Sequence, residues 1–447
     1  MTTTLTKKLA GLLGNDALLS PHLLGEYTVD GLKPQAVVRP TSREAIAEVM
    51  RWAASEKLAV LPRGGGTQLS LGNSPARVDL VLDLSQFNQM LDFQPADLTA
   101  TIEAGINLET FQRGLAQGGK LVPLEAPLAH KATIGGILAA NASGPLRYSY
   151  GLARDWLIGI SVVGADGVET KTGGKVVKNV TGYDLNKLYT GSLGTLGIIV
   201  EATFKLAPVS TDFGALVAVF ASVPEAVDRA REVLKQVYAP QGIQVVNAPA
   251  GQKLGLPIGL SDSEAAVLAF SSGRHRAVQR RLDDSSKLLR DGGARELERL
   301  EAEPASYMLR QLTDLGWSTE TIPQLGLKIN LPPSAVGQMA TWPTSEQASC
   351  PTGIVADPGF GQVHFLWWAG TGTQDLEDRT AMANIDEIRK LTVSLGGSAV
   401  VEHCPRSIKQ QIDVWGDSVG LMGLMTRIKH NLDPAGILNP GRFMGRL

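Results

Sequence analysis

The stretch Pro62-Arg63-Gly64-Gly65-Gly66-Thr67 decides how this chain is read, because three glycines in a row separate two short apolar runs, Leu58 to Leu61 and Leu80 to Leu84. Three missing Cβ atoms let backbone N–H groups converge on an anion and make φ > 0 accessible. Gly64 to Thr67 is therefore a candidate anion nest, with Arg63 and Gln68 at its margins. The spacing is neither G-x-G-x-x-G opening a helix nor G-x-x-x-x-G-K-[ST], so the two common nucleotide-loop fingerprints fail. Taken alone, such a run is explained as well by an ordinary flexible turn.

Its surroundings carry more weight. Upstream, Gln35 to Pro40 predicts a buried strand, and Ser42 to Lys57 places Ala45, Ile46, Val49, Met50, Ala53 and Ala54 on one helical face. Pro62 is expected to stop the strand that begins at Leu58. Downstream, Thr99 to Ala104 predicts a strand, Leu108 to Gln117 an amphipathic helix ended by Gly118-Gly119, and Leu121 to Pro123 a further strand. A second small-residue cluster runs from Ala132-Thr133-Ile134-Gly135-Gly136 to Asn141-Ala142-Ser143-Gly144, with a helix expected over Ile134 to Ala142. Leu157 to Val163 and Val168 to Thr172 predict a hairpin. A third cluster, Gly191 to Gly197, leads into a strand from Ile198 to Leu206. One glycine loop is easily fortuitous, whereas three at the ends of successive elements suit a long, multipart ligand gripped through backbone.

Length and charge bound the rest. At 447 residues the chain exceeds the usual single-domain size. A formal charge of −2 with scattered Lys and Arg argues against a nucleic-acid surface. The apolar run after Lys7-Lys8 is too short for a signal peptide, and no stretch approaches the roughly 20 apolar residues of a membrane span. Two cysteines, Cys350 and Cys404, exclude a disulfide framework and favour a cytoplasmic setting. They are also too few to hold a four-thiolate iron-sulfur cluster.

These three glycine segments, in this order and approximate spacing, resemble the FAD-binding domain of the vanillyl-alcohol oxidase and p-cresol methylhydroxylase (PCMH) superfamily. Within it, Lys178-Asn179-Val180-Thr181-Gly182-Tyr183-Asp184-Leu185 and the turn Asp433 to Arg442 are most similar to FAD-binding subunits of glycolate oxidase (glycolate dehydrogenase). The resemblance implies FAD, with Gly64, Gly65, Gly66 and Thr67 on the pyrophosphate. It further implies Thr133, Ile134, Gly135, Gly136, Asn141, Ser143 and Gly144 along the ribityl and flavin region. Ile198 and Ile199 fall at the adenine end, with Gly194, Gly197 and, in the closing turn, Asn439 as further cofactor contacts. Relatives with covalent flavin often carry a histidine in the first loop. This chain has Gly65 and Gly66 there, which implies non-covalent FAD. The expected class is α+β: a PCMH-type α/β domain over 28–208, an α+β cap or substrate domain over 209–400, and a helical segment over 401–447 returning to the flavin.

Oxidation of a 2-hydroxy acid needs a base for the hydroxyl proton and a cation for the carboxylate. His403, oriented by the neighbouring Glu402, is the candidate base, and Lys328, alternating with apolar residues in Leu327 to Leu331, is the candidate anchor. Metal-dependent relatives resemble the chain at Gly359-x-Gly361-Gln362-x-His364 and at Glu402-His403. Asp357 stands where they have their first metal histidine, and Cys404-Pro405 where glycine usually follows. Asp357, His364 and Glu402 still compose a possible donor set, although no metal is assigned. His364 alone, inside Val363 to Trp368, is more often a hydrogen-bonded core histidine. Tyr148, Tyr150 and Arg154 follow the second loop closely enough to border the flavin or to be packing residues, and Cys404 is incidental.

Beyond 208, Ala215 to Phe220 and Ala265 to Phe270 predict strands, Pro224 to Val237 a helix, and Arg274 to Glu303 a solvated helix. Ser407 to Asn431 predicts a further helix. The expected function is oxidation of glycolate or D-lactate, with electrons passed to a partner. The partners expected are a paralogous FAD subunit and an iron-sulfur subunit, with peripheral association at the inner face of a membrane through them. A non-catalytic accessory subunit and a self-sufficient oxidase are the alternatives.

Overall fold

The computed structural model describes residues 4–175, 183–342, 352–368, 376–417 and 420–447. Lys178 to Gly182 and Cys350, both used above, lie outside the described residues. The chain packs as two compact units, 1–143 with 152–208 and 409–447, and 144–151 with 209–408.

The first unit begins with a parallel three-stranded sheet, β1 (Ala36–Val38), β2 (Val60–Arg63) and β3 (Leu80–Asp83), ordered β1-β3-β2. The helix Arg43–Glu56 links β1 to β2. Ser42 caps it by accepting from the Ala45 N–H at 3.1 Å, and it buries Ile46, Val49, Met50 and Ala53 on one stripe. Contrary to expectation, Pro62 lies inside β2, opposite Leu82. Its ring fixes an extended φ, so the strand runs on to Arg63 and delivers Gly64 at the sheet's C-terminal edge.

Five antiparallel strands form the second layer: β4 (Met90–Gln94), β5 (Thr99–Glu103), β7 (Leu157–Val163), β8 (Glu169–Gly173) and β9 (Ile198–Lys205), ordered β4-β5-β9-β7-β8. Two short strands, β6 (Lys120–Leu121) and β10 (Ala207–Pro208), pair separately. Helices Leu108–Ala116 and Ile134–Ala140 pack on the five-stranded sheet through Phe111, Leu115, Ile134, Ile137 and Leu138. The expected hairpin is β7–β8. The C-terminal turn joins the small sheet, since Val60 donates to Ile437 O at 2.8 Å and Asn439 donates to Val60 O at 2.9 Å.

The second unit is one antiparallel sheet of β11 (Asp212–Phe220), β12 (Gly242–Asn247), β13 (Ala265–Gly273), β14 (Glu296–Glu301), β15 (Leu325–Asn330), β16 (Thr352–Asp357), β17 (Gln362–Trp367) and β18 (Ser398–His403). The order is β14-β11-β13-β12-β16-β17-β15-β18. Helices Ala248–Leu254 and Ala302–Asp314 bury Ala250, Leu254, Ala305, Met308 and Leu312 against Val217, Val219, Leu268 and Phe270. This mixture of layers is the α+β class expected.

Two helix expectations are corrected. Arg274 to Glu303 is not one solvated helix. The helix His275–Asp291 ends before Gly292-Gly293, and Glu296–Glu301 pairs with β11 as an edge strand. Its charged alternation suits an edge half exposed to water, and that alternation imitates a solvated helix in the sequence. Ser407 to Asn431 likewise divides into Arg406–Gln411 and Met422–Leu432, with Gly416 and Gly420 at positive φ between them.

Candidate functional site

In the first unit the three glycine segments meet. A Cβ on Gly64 would lie 1.9 Å from Thr133 Oγ1, and one on Gly65 would lie 1.8 Å from the Lys131 carbonyl oxygen. The first two loops therefore interlock, and bare backbone is required by neighbouring protein as much as by any ligand. The third loop is tied to the helix Ile134–Ala140 by Gly191 N to Leu138 O at 2.8 Å and Leu193 N to Ala139 O at 2.9 Å.

A cleft opens between them, lined by Arg63 to Leu69, Thr133, Gly136, Leu193, Asn439 and Arg442. It adjoins a recess that takes in Gly135, Gly194, Gly197 and Ile199. The two ends differ in hydrogen bonding. Gly135 N donates to Ala104 O and Gly136 N to Thr133 Oγ1, so the second loop's amides are spent internally. Among the described residues, the N–H groups from Gly64 to Thr67 form no hydrogen bond. A run of unsatisfied amides in a cleft is a standing demand for an anionic acceptor.

Arg63 Nε, a buried donor without a partner, adds to that demand, while the buried acceptors Asn141 Oδ1 and Asn439 Oδ1, also without partners, call for donors instead. Asn439 adopts φ 44°, donates its amide N–H to Leu193 O at 2.7 Å and lines the cleft. Arg63 stacks its guanidinium over Tyr27 at 4.0 Å. A cleft with free amides, unpaired acceptors and no room for side chains fits a dinucleotide such as FAD. Ile134 and Ile198 do not line it. Ile134 is in the core, and strand alternation turns Ile198 into the core while Ile199 faces the recess. Ser143 ends this unit's segment, and Gly144 begins the stretch that belongs to the second unit. Arg154 is exposed.

Buried Lys429 fixes the closing turn, donating to Thr195 O at 2.7 Å, Asp433 Oδ2 at 2.6 Å and Leu438 O at 2.8 Å. Desolvation lowers its pKa and Asp433 opposes that. Asp433 also accepts from the Ile437 and Leu438 N–H groups. The i, i+4 spacing of this pair is visible in the sequence, but its burial is not.

The second unit gathers the candidate catalytic residues on β15, β17 and β18. Lys328 is directly opposite His364, so both project from one face. A β-bulge where Gly326 opposes His403 and Leu327 opposes Val401 leaves Glu402 as the extra residue, and such bulges re-aim a side chain. Glu402 Oε1 lies 3.6 Å from Lys328 Nζ, and its Oε2 lies 3.5 Å from His364 Nδ1. Burial favours the protonated carboxyl, yet Lys328, His364 and His403 together hold it down to about 2. His364 moves the other way from a typical carboxylate-paired histidine. Burial lowers its pKa, and the Lys328 and Arg147 charges add to that against the pull of Glu402. Its Nε2 meets Gln362 Oε1 at 2.7 Å, and Gln362 in turn donates to Asn330 Oδ1 at 2.7 Å. His403 is buried, with its ring 4.4 Å from Trp317 in a T-shaped contact, and a Cβ on Gly326 would lie 3.0 Å from its Cδ2.

Asp357 is 1 % exposed and fully engaged. Its Oδ2 accepts from Gln244 at 2.9 Å and from Arg147 at 3.3 Å, and its Oδ1 accepts from the Gly359 and Phe360 N–H groups. A guanidinium thus supplies the positive charge beside this carboxylate. No group of three His, Cys, Asp or Glu side chains arranged to hold a metal occurs among the described residues. Tyr148 and Tyr150 sit in this unit beside Gly359 and Ser272, and Cys404 is half-buried. Arg147, Gln244 and Asn330 escaped sequence reasoning because no local motif marks them, and Gln362, part of the Gly359-x-Gly361-Gln362-x-His364 pattern, carried no role there. No helix among the described residues is long and apolar enough to cross a membrane.

Comparison with known proteins agrees with this division. An FAD binding domain model matches residues 34–173, and a model of the C-terminal domain of FAD linked oxidases matches residues 212–443. The glycolate oxidase subunit GlcD of Bacillus subtilis is 27 % identical over 437 residues, covering 92 % of this chain and 89 % of that protein. A D-2-hydroxyglutarate dehydrogenase of Xanthomonas citri is 29 % identical over 442 residues, with the same coverages. The solved structure of p-cresol methylhydroxylase with substrate bound shares the fold, with a TM-score of 0.75 and 17 % identity over 98 % of this chain and 95 % of that one. With the C-terminal model spanning more than half the chain and the FAD-domain model covering the first two glycine segments, this protein belongs to the FAD-linked oxidases and is an FAD-dependent oxidoreductase.

Proposed function

We propose that the chain oxidises a small 2-hydroxy acid, glycolate or D-lactate, to the 2-oxo acid and passes the electrons to a partner subunit. The observation that carries this reading is the meeting of Lys328, Glu402, His364 and His403 at three neighbouring strands. A 2-hydroxy acid must lose a proton from oxygen and a hydride from carbon, and bound FAD supplies the hydride acceptor. Lys328 offers a fixed positive charge for the substrate carboxylate. His403 takes the hydroxyl proton, and ionised Glu402 beside it stabilises the imidazolium that forms. FAD is held non-covalently, since the Gly64 to Thr67 loop offers no histidine or cysteine for attachment.

The partner follows from chemistry. Two cysteines cannot bind a four-thiolate cluster, so single-electron transfer through iron-sulfur centres needs another chain, and one relative is itself named as a subunit. A second reading, an accessory FAD-binding subunit, is favoured by Asp357, which is occupied by Arg147 and Gln244 at the position where metal-dependent relatives carry a ligand.

Anaerobic addition of glycolate, D-lactate and D-2-hydroxyglutarate to the purified, FAD-loaded chain tests both. Bleaching of the flavin band by one of them, slowed about a hundredfold or more in His403→Ala, is the expected result. A flavin spectrum that none of the three bleaches would sink the catalytic reading in favour of the accessory one.

A further inference from the structure

The first unit contains a cationic element at the glycine cleft, made of Arg442 at the end of the closing turn and Lys409 outside any motif. Arg442 is 2 % exposed and forms part of the cleft wall. Its guanidinium donates to the carbonyls of Leu69 at 2.7 Å, Leu71 at 2.5 Å and Asn73 at 3.0 Å, while its Nε is buried without a partner. Lys409, 1 % exposed, donates to the Ser70 carbonyl and to both oxygens of Asp30 at 3.2 Å. Four carbonyls just beyond the glycine loop are thus drawn onto two cations contributed by the last 39 residues of the chain.

The charges do not balance. Asp30 is committed to Lys409, and Arg442 reaches it only at 3.6 Å, the one carboxylate it reaches among the described residues. The other guanidinium of the cleft, Arg63, is offset by the Tyr27 ring rather than by an acid. Among the described residues, no aspartate or glutamate lines the cleft. Burying a cation without a matching anion is costly unless a ligand completes the pair. Desolvation accordingly presses the Arg442 pKa down to about 10, with Asp30 opposing.

We propose that Arg442, backed by Lys409, is the electrostatic counter-charge for the cofactor's diphosphate and makes this cleft selective for diphosphate-bearing nucleotides. This rests on the assignment of the glycine cleft as the FAD site and deepens it. The free amides from Gly64 to Thr67 hold the diphosphate by geometry, and the cations behind them set its charge preference.

The test uses the full apo-chain, titrated with FAD by flavin-fluorescence quenching and competed with ADP or adenosine. In Arg442→Gln, which keeps donors for the loop carbonyls, FAD and ADP weaken about ten- to a hundredfold, the size of one lost charge-assisted contact, while adenosine is unchanged. Asp30→Asn removes negative charge and tightens ADP, whatever it does to thermal stability. If Arg442→Gln weakens adenosine as much as ADP, or if Asp30→Asn leaves ADP unchanged or weaker, the two cations are only scaffolding and the proposal falls. Should Arg442→Gln fail to fold, the sign of the Asp30→Asn effect decides alone. Failure of the wild-type chain to bind FAD at all would instead overturn the site assignment itself.

Discussion

At the residue scale, His364 carries the sharpest physical question. Its two ring nitrogens face two acceptors, Glu402 Oε2 and Gln362 Oε1, and a neutral ring has one N–H to divide between them. Protonation would satisfy both, but burial and the charges of Lys328 and Arg147 resist it, so the folded pKa lies below the ordinary histidine value of 6.5. The sign follows: the folded state binds this proton less readily than the unfolded chain, so stability from this group declines as pH falls below 6.5. Lys328→Met removes one of the opposing charges. We expect the His364 ring, followed by NMR titration, to ionise below the usual range in the wild type and at higher pH in Lys328→Met. The Glu402 carboxyl should rise from about 2 in the same variant, because Lys328 is its largest charge partner. A His364 titration that stays put in Lys328→Met would show that burial alone sets it.

At the scale of elements, the glycine loops are steric joints before they are ligand sites. Gly65→Ala drives a methyl group into the Lys131 backbone, which has no rotamer to yield, whereas Gly64→Ala meets mainly the Thr133 side chain. Gly65→Ala should therefore cost about 3 kcal/mol or more in apo-protein thermal unfolding and abolish flavin quenching, with Gly64→Ala milder on both measures. Equal effects would contradict the interlock. The glycine segments, the Arg43–Glu56 helix and the β7–β8 hairpin were legible because each depends on local backbone chemistry. The edge strand Glu296–Glu301 was not, since a half-solvated strand of alternating charge and leucine matches a polar helix in pattern. The resemblance implies Ile198 at the adenine end, and strand alternation turns its side chain into the core instead. Arg442 is legible as the end of the closing turn although its role is not, and Lys409 is invisible for a different reason. Lys409 and Asp30 are 379 positions apart, and no spacing rule reaches that far.

For the molecule as a whole, chain order and structural order diverge. The FAD-binding unit opens with the first described helix and is completed only by residues 409–447, with the whole β11–β18 sheet intervening in sequence. Those last residues are not an ornament. Ile437 and Leu438 are fully buried beside β2, Lys429 ties the third glycine loop to the closing turn, and Asn439 and Arg442 form part of the cleft wall. A chain ending at Ile408 keeps every glycine loop but loses the hydrogen bonds from Val60 to Ile437 and from Asn439 to Val60, together with two buried core side chains. Loss of such core burial alone exceeds roughly 3 kcal/mol, a large share of a typical domain's stability. FAD binding by the truncated chain should therefore be undetectable in fluorescence quenching, and adding a synthetic peptide of residues 409–447 at high concentration should restore part of it. Wild-type affinity without the peptide would mean that the three glycine loops are sufficient, and that the closing turn contributes nothing to the cofactor.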